Sequence, residues 1–263
     1  VFFSAMAACW RASVTLARFI SLAALWPRKP RSGRRPLLRA KVTEARQQAA
    51  IAEKKTLLRN VDEADGLKLH PLAWGKSGPL VRAEGLSLSY GGRTVCAGLT
   101  FTLRPGERMA VTGPNGCGKS TLLKKLCGQD VAACGTLALG AGLIVSYVPQ
   151  DASFLHGGAR DYARNAGVDE TMFLTLLRKL GFERVQFEKD MADYSAGQKK
   201  KVLLARSLCE SAHLYLWDEP LNYIDVLSRM QIEQLLLDYR PTMLFVEHDA
   251  AFVRRAATGT LAL

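Results

Sequence analysis

Residues 113–120 read GPNGCGKS, and the run TLLKKL follows directly. Gly113, Gly116 and Gly118 let the backbone turn so that several N–H groups face one anion. The helix begun by the following run adds the positive end of its dipole. Lys119 can then reach β- and γ-phosphates, and Ser120 can offer its hydroxyl to Mg2+. Asn115 and Thr121 share the turn and count with the binding residues. The pattern is the P-loop, G-x-x-x-x-G-K-[ST], placed between an apparent strand and an apparent helix as it requires. A phosphate cradle alone hydrolyses nothing. The stretch HLYLWDEP supplies the next part. Leu214 to Trp217 form a buried strand, Asp218 at its end orders the Mg2+ shell, and Glu219 polarises an attacking water. Adjacent strand residues face opposite ways, but a strand end turns, so both can serve one site.

Elements must hold these residues in place. LVRAEGLSLSY and TVCAGLTFTLR alternate as half-buried antiparallel strands do. ERMAVTG is a short apolar run feeding the glycine loop. LIVSYVP, HLYLWD, TMLFVEHD and GTLAL are further strand candidates. Helical patterns separate several of them, near 118–127, 195–210 and 223–239. Strands alternating with helices predict a parallel sheet packed between helices, an α/β fold. Met172, Phe173, Leu174, Leu176, Leu177 and Leu180 predict one helix packing face. Lys199, Lys200 and Lys201 read as a solvated helix start.

Composition limits the function class. The 263 residues, 48% of them hydrophobic, suffice for one large domain or two small ones. No run of about 18 apolar residues reads as a membrane span. The six cysteines (Cys9, Cys96, Cys117, Cys127, Cys134, Cys209) form no CxxC pair and read as small buried apolar residues in a reducing, cytoplasmic setting. The net charge of +12 is uneven, with nine basic and no acidic residues in 1–43. That segment reads as a targeting segment, a basic RNA-facing arm, or a truncated or misread start, the last favoured. Residues 44–69 read as a mostly exposed helix ending near Gly66 and stopping by Pro71. The Pro/Gly break that follows marks a boundary, giving segments 1–43, 44–77 and 78–263.

YSAGQKKKVLLARSL at 194–208 resembles the signature motif of the ATP-binding-cassette (ABC) ATPases. Ser195 begins a helix and Gln198 completes a capping box. VSYVPQD resembles the Q-loop with Gln150, LFVEHD the switch histidine with His248, and LNYID the D-loop with Asp225. Tyr90 lies where the family stacks an aromatic ring on adenine. The resemblance spans about 81–263. It implies a P-loop NTPase fold of the ABC nucleotide-binding domain, with a parallel-rich core sheet, an antiparallel β subdomain and a short helical subdomain. It implies ATP and Mg2+ as cofactors. It places Glu219, His248 and Gln150 in catalysis, and Ser120, Gln150 and Asp218 at the metal. Tyr90, Gly113, Asn115, Gly116, Gly118, Lys119, Ser120, Thr121, Ser195, Gly197, Gln198 and Asp225 bind nucleotide in that reading. The resemblance also implies that the helix end at Ser195 contacts the γ-phosphate held by a different cassette.

DEPLNYIDVLSRMQIEQLL is similar to the ABC-F branch, especially its ribosome-protecting antibiotic-resistance group. Gln150 and Ser195 stand only 45 positions apart, a compact insert suiting a cassette that need not dock on membrane helices. EKKTLLRNVDEADGLKLHPL resembles the helix returning from that family's inter-cassette linker. The resemblance implies the C-terminal half of a two-cassette protein acting on the ribosome, its rRNA and tRNA. Two alternatives are an ATP-binding transporter subunit and a truncated ATP-binding remnant without turnover. The sequence departs from the family in having one cassette, in Ala196 replacing the signature's first glycine, and in a stretch before residue 44 unlike the linker tip.

Overall fold

The computed structural model describes residues 67–263. The readings of 1–43 and of the helix over 44–66 lie outside the described residues. Strands β1 (Val81–Tyr90), β2 (Arg93–Leu103) and β4 (Ala132–Leu139) form an antiparallel sheet in the order β2-β1-β4. Gly91 and Gly92 join β1 to β2 with φ of 56° and 76°. Two consecutive positive φ values make the two-residue turn that matches strand twist, and glycine adopts them without strain. Five strands form the second sheet: β3 (Arg108–Thr112), β5 (Val145–Val148), β6 (Leu214–Asp218), β7 (Met243–Val246) and β8 (Gly259–Ala262). They run parallel in the order β5-β6-β7-β3-β8.

The central strands show why that sheet is parallel and covered on both faces. Every residue of β6 and β7 is buried, as continuous apolar runs between helical layers require. Tyr215, Trp217, Met243 and Phe245 pack to one side with Phe173, Leu177, Val202 and Leu203. Leu214, Leu216, Leu244 and Val246 pack to the other with Leu86, Leu88, Leu122 and Leu123. The period of two divides one apolar run between two cores. Helix α1 (Lys119–Leu126) lies on the second side with the antiparallel sheet. Helices α2 (Ala159–Asn165), α3 (Glu170–Lys179), α4 (Ala196–Cys209), α5 (Val226–Tyr239) and α6 (Ala250–Ala256) bury residues in the first core.

The insert between β5 and α4 carries α2 and α3. Phe173, Leu174, Leu176 and Leu177 are the buried face of α3 and Leu180 follows it, as the apolar spacing predicts, while Met172 packs at the margin. Asp169 caps α3 by accepting from Met172 N–H at 2.6 Å. The segment entering the cassette also contributes to the core. Leu67 and Leu69 are buried there, and Leu72 N–H donates to Ala212 O at 2.8 Å.

Two expectations are corrected. Of the five described cysteines, Cys96, Cys117, Cys127 and Cys209 are only half-buried and Cys134 is exposed. Cys96 and Cys134 lie on the outer strands β2 and β4 of the antiparallel sheet, which leave much of their length in water. The triple lysine is not a solvated helix start either. Lys200 is 4% exposed, and Lys201 is largely covered. The first turns of α4 press against loops whose carbonyls need donors, and these two ammonium groups supply them.

Candidate functional site

β3 delivers the chain to the glycine loop, and α1 leaves it. Gly118 caps α1 in the left-handed region at φ 97°. A Cβ there would lie 3.1 Å from Val95 Cγ2, so both conformation and space favour glycine. Gly113 is tighter still: at φ 142° its Cβ would meet Leu263 O at 2.7 Å and Cys117 Sγ at 2.8 Å. Lys119 curls back over the loop, donating to the carbonyls of Gly113 and Pro114, both at 2.9 Å. Its ammonium is therefore held above the cradle.

A cavity of about 550 Å³ opens beside this loop. Tyr90, Asn115, Gly116, Gly118, Lys119, Ser120, Thr121, Gln150, Glu219 and His248 line it, with Val95. Ten residues singled out in the sequence thus converge from five separate stretches. Tyr90, at the end of β1, is 65% exposed and offers its ring face, with Lys124 Nζ 5.9 Å from the ring centroid. Ser120 Oγ donates to Gln150 Oε1 at 3.5 Å.

The end of β6 turns as the sequence requires. Glu219 takes φ 49°, a left-handed conformation that a non-glycine residue holds only under constraint. The turn aims its carboxylate into the cavity while Asp218 stays buried. Asn222 Nδ2 donates to Glu219 Oε2 at 2.6 Å, and His248 Nε2–H donates to Oε1 at 3.1 Å. Asn222 was not singled out from sequence; standing three residues after Glu219, it reaches back across the turn. Glu247 was missed as well. Its buried carboxylate accepts from Leu221 N–H at 3.3 Å and His248 N–H at 2.9 Å, tying the histidine loop to the turn after β6.

Asp218 is fully buried, and no hydrogen bond of ordinary geometry reaches either carboxylate oxygen, although the Ser120 hydroxyl lies close enough to pull its pKa down. Burial pushes its pKa up and the nearby Glu219 charge adds to that, while the Ser120 hydroxyl, Lys200 and Lys124 work the other way. An unpartnered buried carboxylate beside a hydroxyl and an amide oxygen is a hard-oxygen donor set, the kind that Mg2+ takes. The residues present fit that ion.

Ser195, Gly197, Gln198 and Asp225 do not line this cavity. Ser195 and Gln198 form the expected capping box: Ser195 Oγ accepts from Gln198 N–H at 3.3 Å, and Gln198 Oε1 accepts from Ser195 N–H at 2.9 Å. Ser195 and Ala196 are exposed. Gly197 is demanded by packing, since a Cβ would lie 2.5 Å from Tyr223 O. Asp225 caps α5 by accepting from Ser228 N–H at 2.9 Å, and it pairs with Lys201 at 2.6 Å. It holds the D-loop to α4.

Partial burial raises the Asp225 pKa, but Lys201 and the Ser228 donors outweigh it and hold the group down to about 2. A depressed carboxylate pKa stabilises the fold above the ordinary value of 3.8 and loses that contribution as pH falls toward 2. Half of the side chain is exposed, so screening keeps the contribution small. Asp225→Asn keeps the cap, loses the Lys201 pair, and is expected to cost about 0.5 kcal/mol at neutral pH. Melting followed by circular dichroism should show the gap to the unaltered chain closing as pH falls from neutral toward 2. An equal gap at every pH would contradict this.

The sequence model of the ABC transporter family matches residues 96–222. ATP-binding protein Uup of Caulobacter vibrioides is 33% identical over 199 residues, covering 72% of this chain and 33% of that protein. Zinc import ATP-binding protein ZnuC of Ruegeria pomeroyi is 34% identical over 193 residues, covering 70% of this chain and 75% of that one. Ribosome protection protein VmlR of Bacillus subtilis is 29% identical over 188 residues, covering 70% of this chain and 34% of that one. The chain thus spans about a third of the length of Uup and VmlR. A solved structure, a putative ABC transporter ATP-binding protein from Pyrococcus furiosus, superposes with a TM-score of 0.56 at 20% identity over 70% of this chain and 96% of that one, a likeness of fold. Family match, fold and converged motifs agree: the chain belongs to the ATP-binding-cassette ATPases.

Proposed function

We propose that this chain binds ATP–Mg2+ in the cavity beside Lys119 and hydrolyses it when a second cassette closes over the nucleotide, and that the cycle acts on the ribosome. The observation that supports the first part most is the convergence of Lys119, Ser120, Gln150, Glu219 and His248 on one cavity. Each residue has a task its placement suits. The loop N–H groups and Lys119 bind the phosphates. Ser120, Gln150 and Asp218 would hold Mg2+, which when bound neutralises phosphate charge and fixes its geometry. Tyr90 offers a face to the adenine. Glu219, steadied by Asn222 and His248, orients a water and takes its proton.

A second cassette enters the proposal because the exposed capped end of α4 at Ser195 stands outside the cavity. An exposed helix N-terminus suits the γ-phosphate bound by another copy or half. Gly197, Gln198 and the D-loop around Asp225 belong to that contact surface in this reading.

The ribosome enters through the D-loop text LNYID, the short insert carrying α2 and α3, and the likeness to VmlR. A second reading, an ATP-binding subunit of a transporter, draws on the likeness to ZnuC, of which the chain covers 75%. Among the described residues no helix is long and apolar enough to cross a membrane, so that reading requires a separate membrane partner. The two separate experimentally. On the ribosome reading, Glu219→Gln protein with ATP–Mg2+ should pellet with ribosomes through a sucrose cushion and stay in the supernatant with ADP. Supernatant in both nucleotides, with copurification of a membrane-spanning protein, would replace it with the transporter reading.

A further inference from the structure

Lys200 stands where α4, the loop after β5 and the end of β6 meet. It is 4% exposed, a rare burial for lysine unless its ammonium is matched. Its Nζ donates to Pro149 O at 2.9 Å and to Asp218 O at 3.2 Å. Pro149 directly precedes Gln150, and Asp218 directly precedes Glu219. One ammonium therefore fastens two backbone stretches to the helix that begins at Ser195. Those stretches carry two of the three side chains that would hold Mg2+. Burial disfavours the ammonium form and pulls its pKa down, and the charges of Asp218, Glu219, Glu247 and Asp151 offset this in part.

We propose that Lys200 is a positioning residue for the metal step of ATP hydrolysis: it sets the spacing between Gln150 and Asp218 and couples that spacing to the helix end at Ser195. This rests on the ATP–Mg2+ reading above. Lys200 does not line the cavity, so it acts through the two backbones it joins. Asp218 ends β6 and Pro149 follows β5, one step beyond the last β5–β6 ladder pair, Val148 with Trp217, and no other side chain joins both carbonyls among the hydrogen bonds of the described residues. Supports one step behind metal ligands typically govern metal affinity by about 10- to 100-fold. A movement of α4 on contact with a second cassette would reach the metal site through the same ammonium.

The test uses the full chain, a fluorescent ATP analogue and titrated Mg2+. Lys200→Met keeps the length and apolar stem but removes both donors. It should raise the Mg2+ concentration for half-maximal tightening by about 10- to 100-fold. Affinity for the analogue without Mg2+ should stay within about twofold, because the phosphate cradle is untouched. Asp218→Asn provides the reference for loss of a metal ligand. A merely structural role would weaken binding equally with and without Mg2+, and that result overturns the proposal. So does an unchanged Mg2+ response in Lys200→Met or, where that variant does not fold, in Lys200→Gln, which keeps one amide donor and should give an intermediate shift. If the unaltered chain fails to bind the analogue at any Mg2+ concentration, the ATP reading falls and this one with it. Binding by the unaltered chain with an unshifted variant removes this proposal alone.

Discussion

Glu219→Gln should lower ATP turnover by about 10²- to 10⁴-fold and leave ATP–Mg2+ bound. The carboxylate lies in the cavity wall with two donors on it, Asn222 Nδ2 and His248 Nε2. Those contacts aim it and leave it to accept a water's proton. Gln keeps size, backbone turn and one acceptor oxygen, and loses the ability to take a proton. Its amide N–H₂ would face a donor, but His248 can change tautomer and accept instead. The fold cost is therefore small, and melting should move little. Turnover is measured by phosphate release with the partner cassette or with the chain at concentrations that favour pairing, and bound ATP by filter retention. Turnover within a few-fold of the unaltered chain would remove Glu219 from the chemistry.

Lys119→Ala should weaken ATP–Mg2+ binding by about 2–5 kcal/mol, since phosphate charge in a partly desolvated cradle would lose its partner. That corresponds to a dissociation constant higher by roughly 30- to several-thousand-fold. Without ligand, Lys119 spends its ammonium on the carbonyls of Gly113 and Pro114. Both belong to a loop bordering the open cavity, and water can replace the amine there. Stability should thus change far less than binding, and the pair of measurements distinguishes a lost phosphate contact from a damaged fold.

Much of the architecture was legible because the chemistry and the periodicity lie in contiguous text. The runs through Trp217 and Phe245 are apolar at every position since the strands are buried on both faces. The glycines at 113 and 118 had to be glycine for backbone reasons that a sequence displays directly. Other elements left weaker traces. β4 reads AACGTLAL, small residues with seven of eight exposed, so no alternation marks it. α2 and α6 have seven residues each, too short for a helical period to stand out. Lys200 was misread for a related reason. Its neighbours Pro149 and Asp218 lie 51 and 18 positions away, and three adjacent lysines carry no sign that one of them turns inward. Asn222 and Glu247 make their contacts around Glu219 and His248 across the same kind of gap. Residue types announce the groups that touch a ligand, whereas groups that steady them are set by packing between distant stretches.

The claim on which the rest stands is that one ATP–Mg2+ fits the cavity beside Lys119 in each chain. Equilibrium titration of the 263-residue chain with ATP in the presence of Mg2+ tests it most directly. The account requires about one equivalent bound, weakened at least roughly 30-fold in Lys119→Ala and retained in Glu219→Gln. Equal affinity in the unaltered chain and Lys119→Ala, or no saturable binding in either, would contradict it.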